Sequence, residues 1–324
     1  MKRIISIILM LSLLASLFAF TSCNGNEPEA TEQNGAEQTD KATDKATDKP
    51  TEKPTEKPTE KPTEKPTEKP TGDNKEPEKA SFKILFIGNS FTYCNDLPTA
   101  YFAKICKAAG LDVEVDSITN GGYKLDHFAD PDDEYGKKVH RALKNERYDY
   151  VIIQEQSGRP ISNPAGFFDG SRDLAALVAE NGAELWFYQT WGYKEGYSKL
   201  PTHGGTTKEM ELMLRAAYDA IADELDAKVA HVGIAMYDLH VNDSFEPDVY
   251  DSDLYHPSKY GSIVAAWTIF ASIFEIDPDE VDFDCGIEEE HLEDIKEAAY
   301  FAAFYPDPVP DGYKISSEGV TNKK

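Results

Sequence analysis

The chain has 324 residues, and its 59 acidic residues outweigh 33 basic ones to give a net charge of −26. So strong an acidic excess argues against nucleic acid or an anionic membrane surface as a partner. Four cysteines with no CxxC spacing exclude a zinc ribbon and a dense disulfide framework, leaving room for one bridge at most.

The first 22 residues read as an export signal. Lys2 and Arg3 precede an apolar run from Ile4 to Phe20, broken only by Ser6, Ser12 and Ser16. Thr21, Ser22 and Cys23 follow. A cysteine directly after small residues resembles a bacterial lipobox, which implies a lipidated Cys23 as the new N-terminus; Phe20 stands where that motif usually has Leu. Acyl chains on such a cysteine suffice for stable anchoring. Residues 24–80 contain two KATD and five TEKP units and no Val, Ile, Leu or aromatic residue. Such a tract cannot bury enough apolar surface to offset the entropy of ordering, so a disordered spacer is expected. With proline at every fourth position its limiting reach is about 170 Å, at about 3.1 Å per residue.

That assigns residues 81–324 to one domain of ordinary size. The first 80 residues hold 12 of the 33 basic and 15 of the 59 acidic residues, leaving 21 and 44 in the domain, a net of −23. A neutral or cationic substrate suits that balance.

Within the domain, Lys83–Ile87 predicts a buried strand that ends in Gly88-Asn89-Ser90-Phe91-Thr92. Leu97–Ala109 predicts a helix stopped by Gly110. Residues 112–119 predict a second strand, ending in Asn120-Gly121-Gly122. A helix over 135–146 leads to the clearest strand, 148–153, which runs into Gln154-Glu155-Gln156-Ser157. Helix 167–180, stopped by Asn181-Gly182, precedes strand 184–190. Helix 207–225 precedes a fifth strand over 228–236. Helices over 258–274 and 288–304 complete the chain. Strands alternating with helices imply a mainly parallel sheet covered on both faces. The expected architecture is therefore a three-layer α/β/α sandwich, flavodoxin-like, with five strands. In such sheets the site lies at the carboxyl ends of the strands.

Ser90 stands at the first of those ends. A serine in a strand-to-helix turn can present its hydroxyl at the sheet edge, beside helix N–H groups suited to an oxyanion; equally, it can simply cap a helix. Asp253 and His256 lie three apart on one loop before the 258–274 helix, the spacing of an orienting carboxylate and a base. His240, two residues after Asp238, is the nearest rival. His127, His140, His203, His231 and His291 read as structural or exposed, with His203 a candidate for a substrate loop. The acidic stretches 130–134 and 243–253 lack EF-hand spacing, and the first turn lacks a Gly-rich phosphate loop. Neither a metal nor a cofactor is expected.

The order GNSFT, Gly-Gly after the second strand, a polar turn after the third and DxxHP near the end resembles the SGNH (GDSL-like) hydrolase superfamily over nearly all of 83–275. The resemblance implies that Ser90 is a nucleophile, that Asp253 and His256 complete a triad, and that the Ser90 N–H and the Gly122 N–H (Gly121 being the alternative) line an oxyanion hole. The third donor in that superfamily is an asparagine. Here the third block departs from Gly-x-Asn-Asp, and Gln156 aligns with the asparagine. The resemblance further implies a carboxylic ester hydrolase, with O-acetylated extracellular carbohydrate as the first substrate expectation. Trp191 and Tyr193, past the fourth strand, are expected as a stacking floor for a sugar ring. The competing reading is a catalytically silent, surface-anchored carbohydrate-binding protein on the same fold, for which retention of Ser, Asp and His has no use.

Overall fold

The computed structural model describes residues 81–317 and 319–322. The expected export signal, lipidated Cys23 and repeat spacer lie outside the described residues. Five strands, β1 (Ser81–Gly88), β2 (Asp112–Thr119), β3 (Tyr150–Ile153), β4 (Glu184–Tyr188) and β5 (Lys228–Ala230), lie in the order β2-β1-β3-β4-β5, and every neighbouring pair is parallel. This is the expected flavodoxin-like order. Its reversal falls between β1 and β3, the place where sheets of this kind bind ligands at their carboxyl ends. A short antiparallel hairpin, β6 (Tyr313–Ser316) and β7 (Gly319–Asn322), closes the described chain.

Ten α-helices accompany these strands among the described residues: α1 (Ser90–Tyr93), α2 (Ala103–Ala108), α3 (Leu125–Ala129), α4 (Glu134–Asn145), α5 (Arg159–Ser162), α6 (Pro164–Asn181), α7 (Thr207–Leu225), α8 (Val232–Val241), α9 (Lys259–Phe274) and α10 (Glu289–Phe304). Alternation along the strands assigns them to layers, because successive side chains point to opposite faces. Ile84 and Phe86 of β1, Ile152 of β3 and Trp186 and Tyr188 of β4 pack on one side with α2, α8, α9 and α10. Leu85, Ile87, Val151, Ile153, Leu185 and Phe187 pack on the other with α3, α4, α6 and α7. Both faces are apolar, as a sheet covered on both sides requires. No helix among the described residues is long and apolar enough to cross a membrane. Cys106 and Cys285 are buried free thiols.

Helix ends follow local chemistry. Asn163 caps α6 by accepting the Gly166 N–H, and Gly182 ends it at φ +87°. Thr206 caps α7 and Ser258 caps α9 through their hydroxyls. Two expectations are corrected. The segment expected as a helix over 97–109 begins as a π-helical turn at Leu97–Phe102 and becomes α-helical only at Ala103. The fifth strand stops at Ala230, and Val232–Met236 opens α8 instead. That apolar run fits a buried strand or a buried helix equally well by pattern. Close packing goes with the helix: a Cβ on Gly233 would lie 2.5 Å from the Gln189 amide and 2.7 Å from the Thr190 carbonyl, so the α8 backbone sits directly on the end of β4.

Candidate active site

β1 is fully buried from Ile84 to Ile87 and delivers the chain into a turn with no spare room. A Cβ on Gly88 would fall 2.3 Å from Thr92 Oγ1 and 2.7 Å from Gln154 Oε1. Asn89 follows as the N-cap of α1, its Oδ1 accepting the Phe91 N–H at 3.2 Å, and Ser90 opens that single turn. The turn is tied to the end of β3 by Gln154, whose side chain is fully buried. Gln154 Oε1 accepts from the Asn89 N–H at 3.0 Å and from Thr92 Oγ1 at 2.9 Å, while Nε2 donates to Asn89 Oδ1 at 3.0 Å.

The Gly-Gly loop after β2 is tied to the same turn at both ends. The Asn120 N–H donates to the Gly88 carbonyl at 3.2 Å, and Asn89 Nδ2 donates to the Tyr123 carbonyl at 2.9 Å. Between them Gly122 takes φ +67°, a left-handed conformation that favours glycine. A second link runs deeper. Glu155 is fully buried and pairs with Arg159 at 3.1 Å, and Arg159 reaches Asp126 on α3 at 2.6 Å. Burial pushes the Glu155 carboxyl up to about 7, against the opposing pull of Arg159 and the Gln156 N–H. Glu155 Oε1 accepts that N–H at 2.6 Å, so the carboxyl orients the backbone at Gln156. Gln156 itself is half-buried, and its Nε2 donates to Ser157 Oγ at 2.7 Å. Ser157 Oγ lies 2.8 Å from Tyr193 Oη.

The third piece is the loop between α8 and α9. It folds back on itself through a bridge between Tyr250 and Pro257, with the Asp251 N–H donating to the His256 carbonyl at 2.8 Å. Leu254 takes φ +71° to make the turn. The loop is seated on α9 so closely that a Cβ on Gly261 would lie 2.2 Å from the Val249 carbonyl oxygen. Asp253 Oδ1 accepts the N–H groups of Tyr255 (3.2 Å) and His256 (3.0 Å), which holds the carboxylate facing the imidazole. Asp253 Oδ2 then lies 2.5 Å from His256 Nδ1, and His256 Nε2 lies 2.8 Å from Ser90 Oγ. Because Nδ1 faces a carboxylate it carries the ring proton, and Nε2 presents its lone pair to the serine hydroxyl. Ser90 and His256 are 7 % and 4 % exposed. These polar atoms are thus largely withdrawn from water, which strengthens each contact between them.

The other histidines stand apart from this chain of contacts. His240 pairs with Glu195 at 3.0 Å rather than with Asp238, and His231 pairs with Asp219 at 2.8 Å. Hydrogen bonds from Thr207 and His240 outweigh burial and hold Glu195 down to about 2. His203 is buried against Tyr193 and the Gly158 backbone, with Nδ1 on the Lys199 carbonyl at 2.9 Å.

The expected stacking floor is corrected. Trp191 is 0 % exposed, with Phe91 stacked on it at 4.2 Å and 3°, and its Nε1 donates to the Tyr255 carbonyl at 3.0 Å. Tyr193 is 2 % exposed, and its hydroxyl is engaged with Ser157. Rings so covered offer no face to a sugar. They brace the Asp253–His256 loop from behind, together with Tyr250, whose hydroxyl donates to the Gly192 carbonyl at 2.8 Å. The sequence gives Gln154 no motif of its own. Its partners lie about 60 positions away, and only its place directly after a buried strand pointed towards the site.

No protein-family model matches the chain, and no curated protein matches it. Among solved structures it is similar to a DUF4886 family protein from Bacteroides uniformis, at 21% identity and a TM-score of 0.60, over 72% of this chain and 98% of that one. It is also similar to a protein from Slackia heliotrinireducens provisionally classed as an SGNH hydrolase, at 29% identity and a TM-score of 0.49, over 57% of this chain and 95% of that one. A carbohydrate acetylesterase family member from Sinorhizobium meliloti gives 16% identity and a TM-score of 0.43, over 60% of this chain and 97% of that one. The first of these likenesses establishes that the α/β/α fold of this chain recurs in a solved protein.

Proposed function

We propose that this chain is a serine ester hydrolase of the SGNH class, working through an acyl-enzyme. The observation that carries the reading is the continuous contact chain from Asp253 through His256 to Ser90, at 2.5 and 2.8 Å, at the carboxyl end of a doubly wound sheet. Ser90 Oγ attacks the ester carbonyl carbon as its proton passes to His256 Nε2, and Asp253 stabilises the imidazolium. The carbonyl oxygen becomes an oxyanion facing the N–H groups of Ser90 and Gly122 and the side-chain amide of Gln156. One Gln156 N–H is taken by Ser157 Oγ, and an amide nitrogen carries two. Collapse of the tetrahedral intermediate breaks the bond to the alcohol oxygen, which takes the proton from His256. Water, activated by the same imidazole, then attacks the acyl carbon and releases the acid and Ser90.

The substrate we assign is an O-acetyl group on an extracellular carbohydrate, and we place the domain on the outside of a bacterial envelope, tethered by lipidated Cys23 and the TEKP spacer. This placement is supported by the sequence of the first 80 residues. The test is acetate release from a panel of acetylated polysaccharides by the full chain, with Ser90→Ala as control. Release by the wild type and none by the variant supports the reading. Activity confined to long-chain lipid esters would redirect the substrate, and equal release by both chains would contradict the mechanism.

A further inference from the structure

Given that reading, the position of the alcohol half of the ester follows from the proton transfers. His256 Nε2 must deliver its proton to the departing alcohol oxygen, so the alcohol lies on the imidazole side of Ser90, opposite the oxyanion donors. The surface that begins there is aromatic. The Tyr255 ring centre is 4.0 Å from that of His256 at 38°, and the Tyr197 ring centre is 4.9 Å from that of Tyr255 at 32°. Both tyrosines are half-buried, unlike Trp191 and Tyr193 beneath them. We propose that Tyr255 and Tyr197 form the subsite for the alcohol half of the substrate, and that this half is a neutral sugar ring.

The strip is rigid before any ligand arrives. Tyr255 is fixed at both backbone ends, its N–H on Asp253 Oδ1 and its carbonyl accepting from Trp191 Nε1. Tyr197 packs on Tyr193 at 4.6 Å and 63°. Its loop is closed by the Tyr197 N–H on the Lys194 carbonyl (3.1 Å) and tied to the catalytic loop by the Lys194 N–H on the Leu254 carbonyl (2.9 Å). Gly196, at φ +98°, makes the intervening turn. Little ordering entropy therefore opposes binding on this strip. A sugar's C–H face suits the electron-rich face of an aromatic ring and demands no charge. Charge also selects against an anionic sugar. Asp251 and Asp253 lie on the catalytic loop and Glu195, paired with His240, precedes Tyr197; against these three stand two cations, Lys194, paired with Asp248, and Lys199.

The experiment compares kcat/KM on an acetylated xylo-oligosaccharide and on methyl acetate for the wild type, Tyr197→Ala and Tyr197→Phe. The oligosaccharide-to-methyl-acetate ratio should fall about tenfold in Tyr197→Ala, the scale of one aromatic stacking contact, and stay within about twofold of wild type in Tyr197→Phe. An unchanged ratio in Tyr197→Ala overturns the subsite, and a larger relative loss on phenyl acetate than on the oligosaccharide overturns the sugar assignment. Should wild type hydrolyse neither ester, the hydrolase reading fails separately, and binding decides the subsite. Titration with the unacetylated oligosaccharide should then show binding to wild type that weakens about tenfold in Tyr197→Ala. No binding to wild type, or equal binding to both chains, overturns the proposal. If Tyr197→Ala fails to fold, Tyr197→Leu keeps the apolar bulk without the ring and is read the same way.

Discussion

Gln154→Ala is the substitution that bears hardest on how Ser90 is held. It strands two donors in a dry site, the Asn89 N–H and the Thr92 hydroxyl, both now bonded to Gln154 Oε1 at 3.0 and 2.9 Å. Asn89 Oδ1 loses the Nε2 donor but keeps the Phe91 N–H. Each buried donor left without an acceptor costs about 1–3 kcal/mol. The void left by the side chain adds to that, so a total near ~4 kcal/mol is expected. Against a typical domain stability of about 5–15 kcal/mol that is a large fraction, yet it leaves a folded molecule to assay. Because the bonds lost are those that set Asn89 and hence Ser90, turnover of a small acetyl ester should fall at least about tenfold per folded molecule, a loss reached by a misplacement of well under an ångström. Urea unfolding measures the first quantity and active-site-normalised kinetics the second. Gln154→Glu refines the test: it retains the Oε1 acceptor but sets an oxygen against Asn89 Oδ1, so it should also lose activity. A Gln154→Ala protein within about 0.5 kcal/mol of wild type and with undiminished turnover would refute the reasoning.

Three further expectations use other parts of the site. Gly88→Ala sets a Cβ against Thr92 Oγ1 and Gln154 Oε1 and should lower stability by about 1–3 kcal/mol in thermal or urea unfolding; a neutral result would mean the turn is not tightly packed. Gln156→Ala should cut turnover about 10²–10³-fold while the unfolding midpoint stays close to wild type; unchanged turnover removes Gln156 from the oxyanion hole. Glu155 carries a pH signature. Its carboxyl is raised from about 4.5 to about 7 on folding, so the folded chain binds that proton more tightly than the unfolded one. The stability it contributes is full below about pH 4.5 and is lost as pH rises through about 7, by on the order of 3 kcal/mol. Glu155→Gln removes the titration. The stability difference, wild type minus variant, should therefore decline from pH 4.5 to 7 and flatten above; a difference that rises across that window contradicts the raised value.

The parts of this molecule that were legible in its sequence are those set by local pattern. The apolar runs of β1, β3 and β4 are buried on both faces, and the long helices carry clear periodicity and caps such as Thr206 and Ser258. Asp253 and His256 can be paired from sequence because only two residues of one loop separate them, and Ser90 can be placed because it lies in the turn directly after a buried strand. What was not legible depends on packing between distant segments. Trp191 and Tyr193 follow a strand end, where a side chain can turn towards solvent or under a neighbouring loop. Here the Tyr255 carbonyl and the Phe91 ring draw Trp191 inward. The helix from Val232 reads as strand in the sequence because a short apolar run has no decisive period, and the close approach at Gly233 is a tertiary fact. The role of Gln154 rests wholly on Asn89 and Thr92, and no local motif announces it.

The central claim is that Ser90 is a nucleophile activated by His256. Its most direct test is intact-mass analysis of the full chain after treatment with a fluorophosphonate, with fragment mapping of the adduct. One phosphonyl group is expected on Ser90, formed rapidly in wild type, about 10³-fold or more slowly in His256→Ala, and not at all in Ser90→Ala. A wild-type protein that takes up no label, or an adduct that persists in Ser90→Ala, would contradict it.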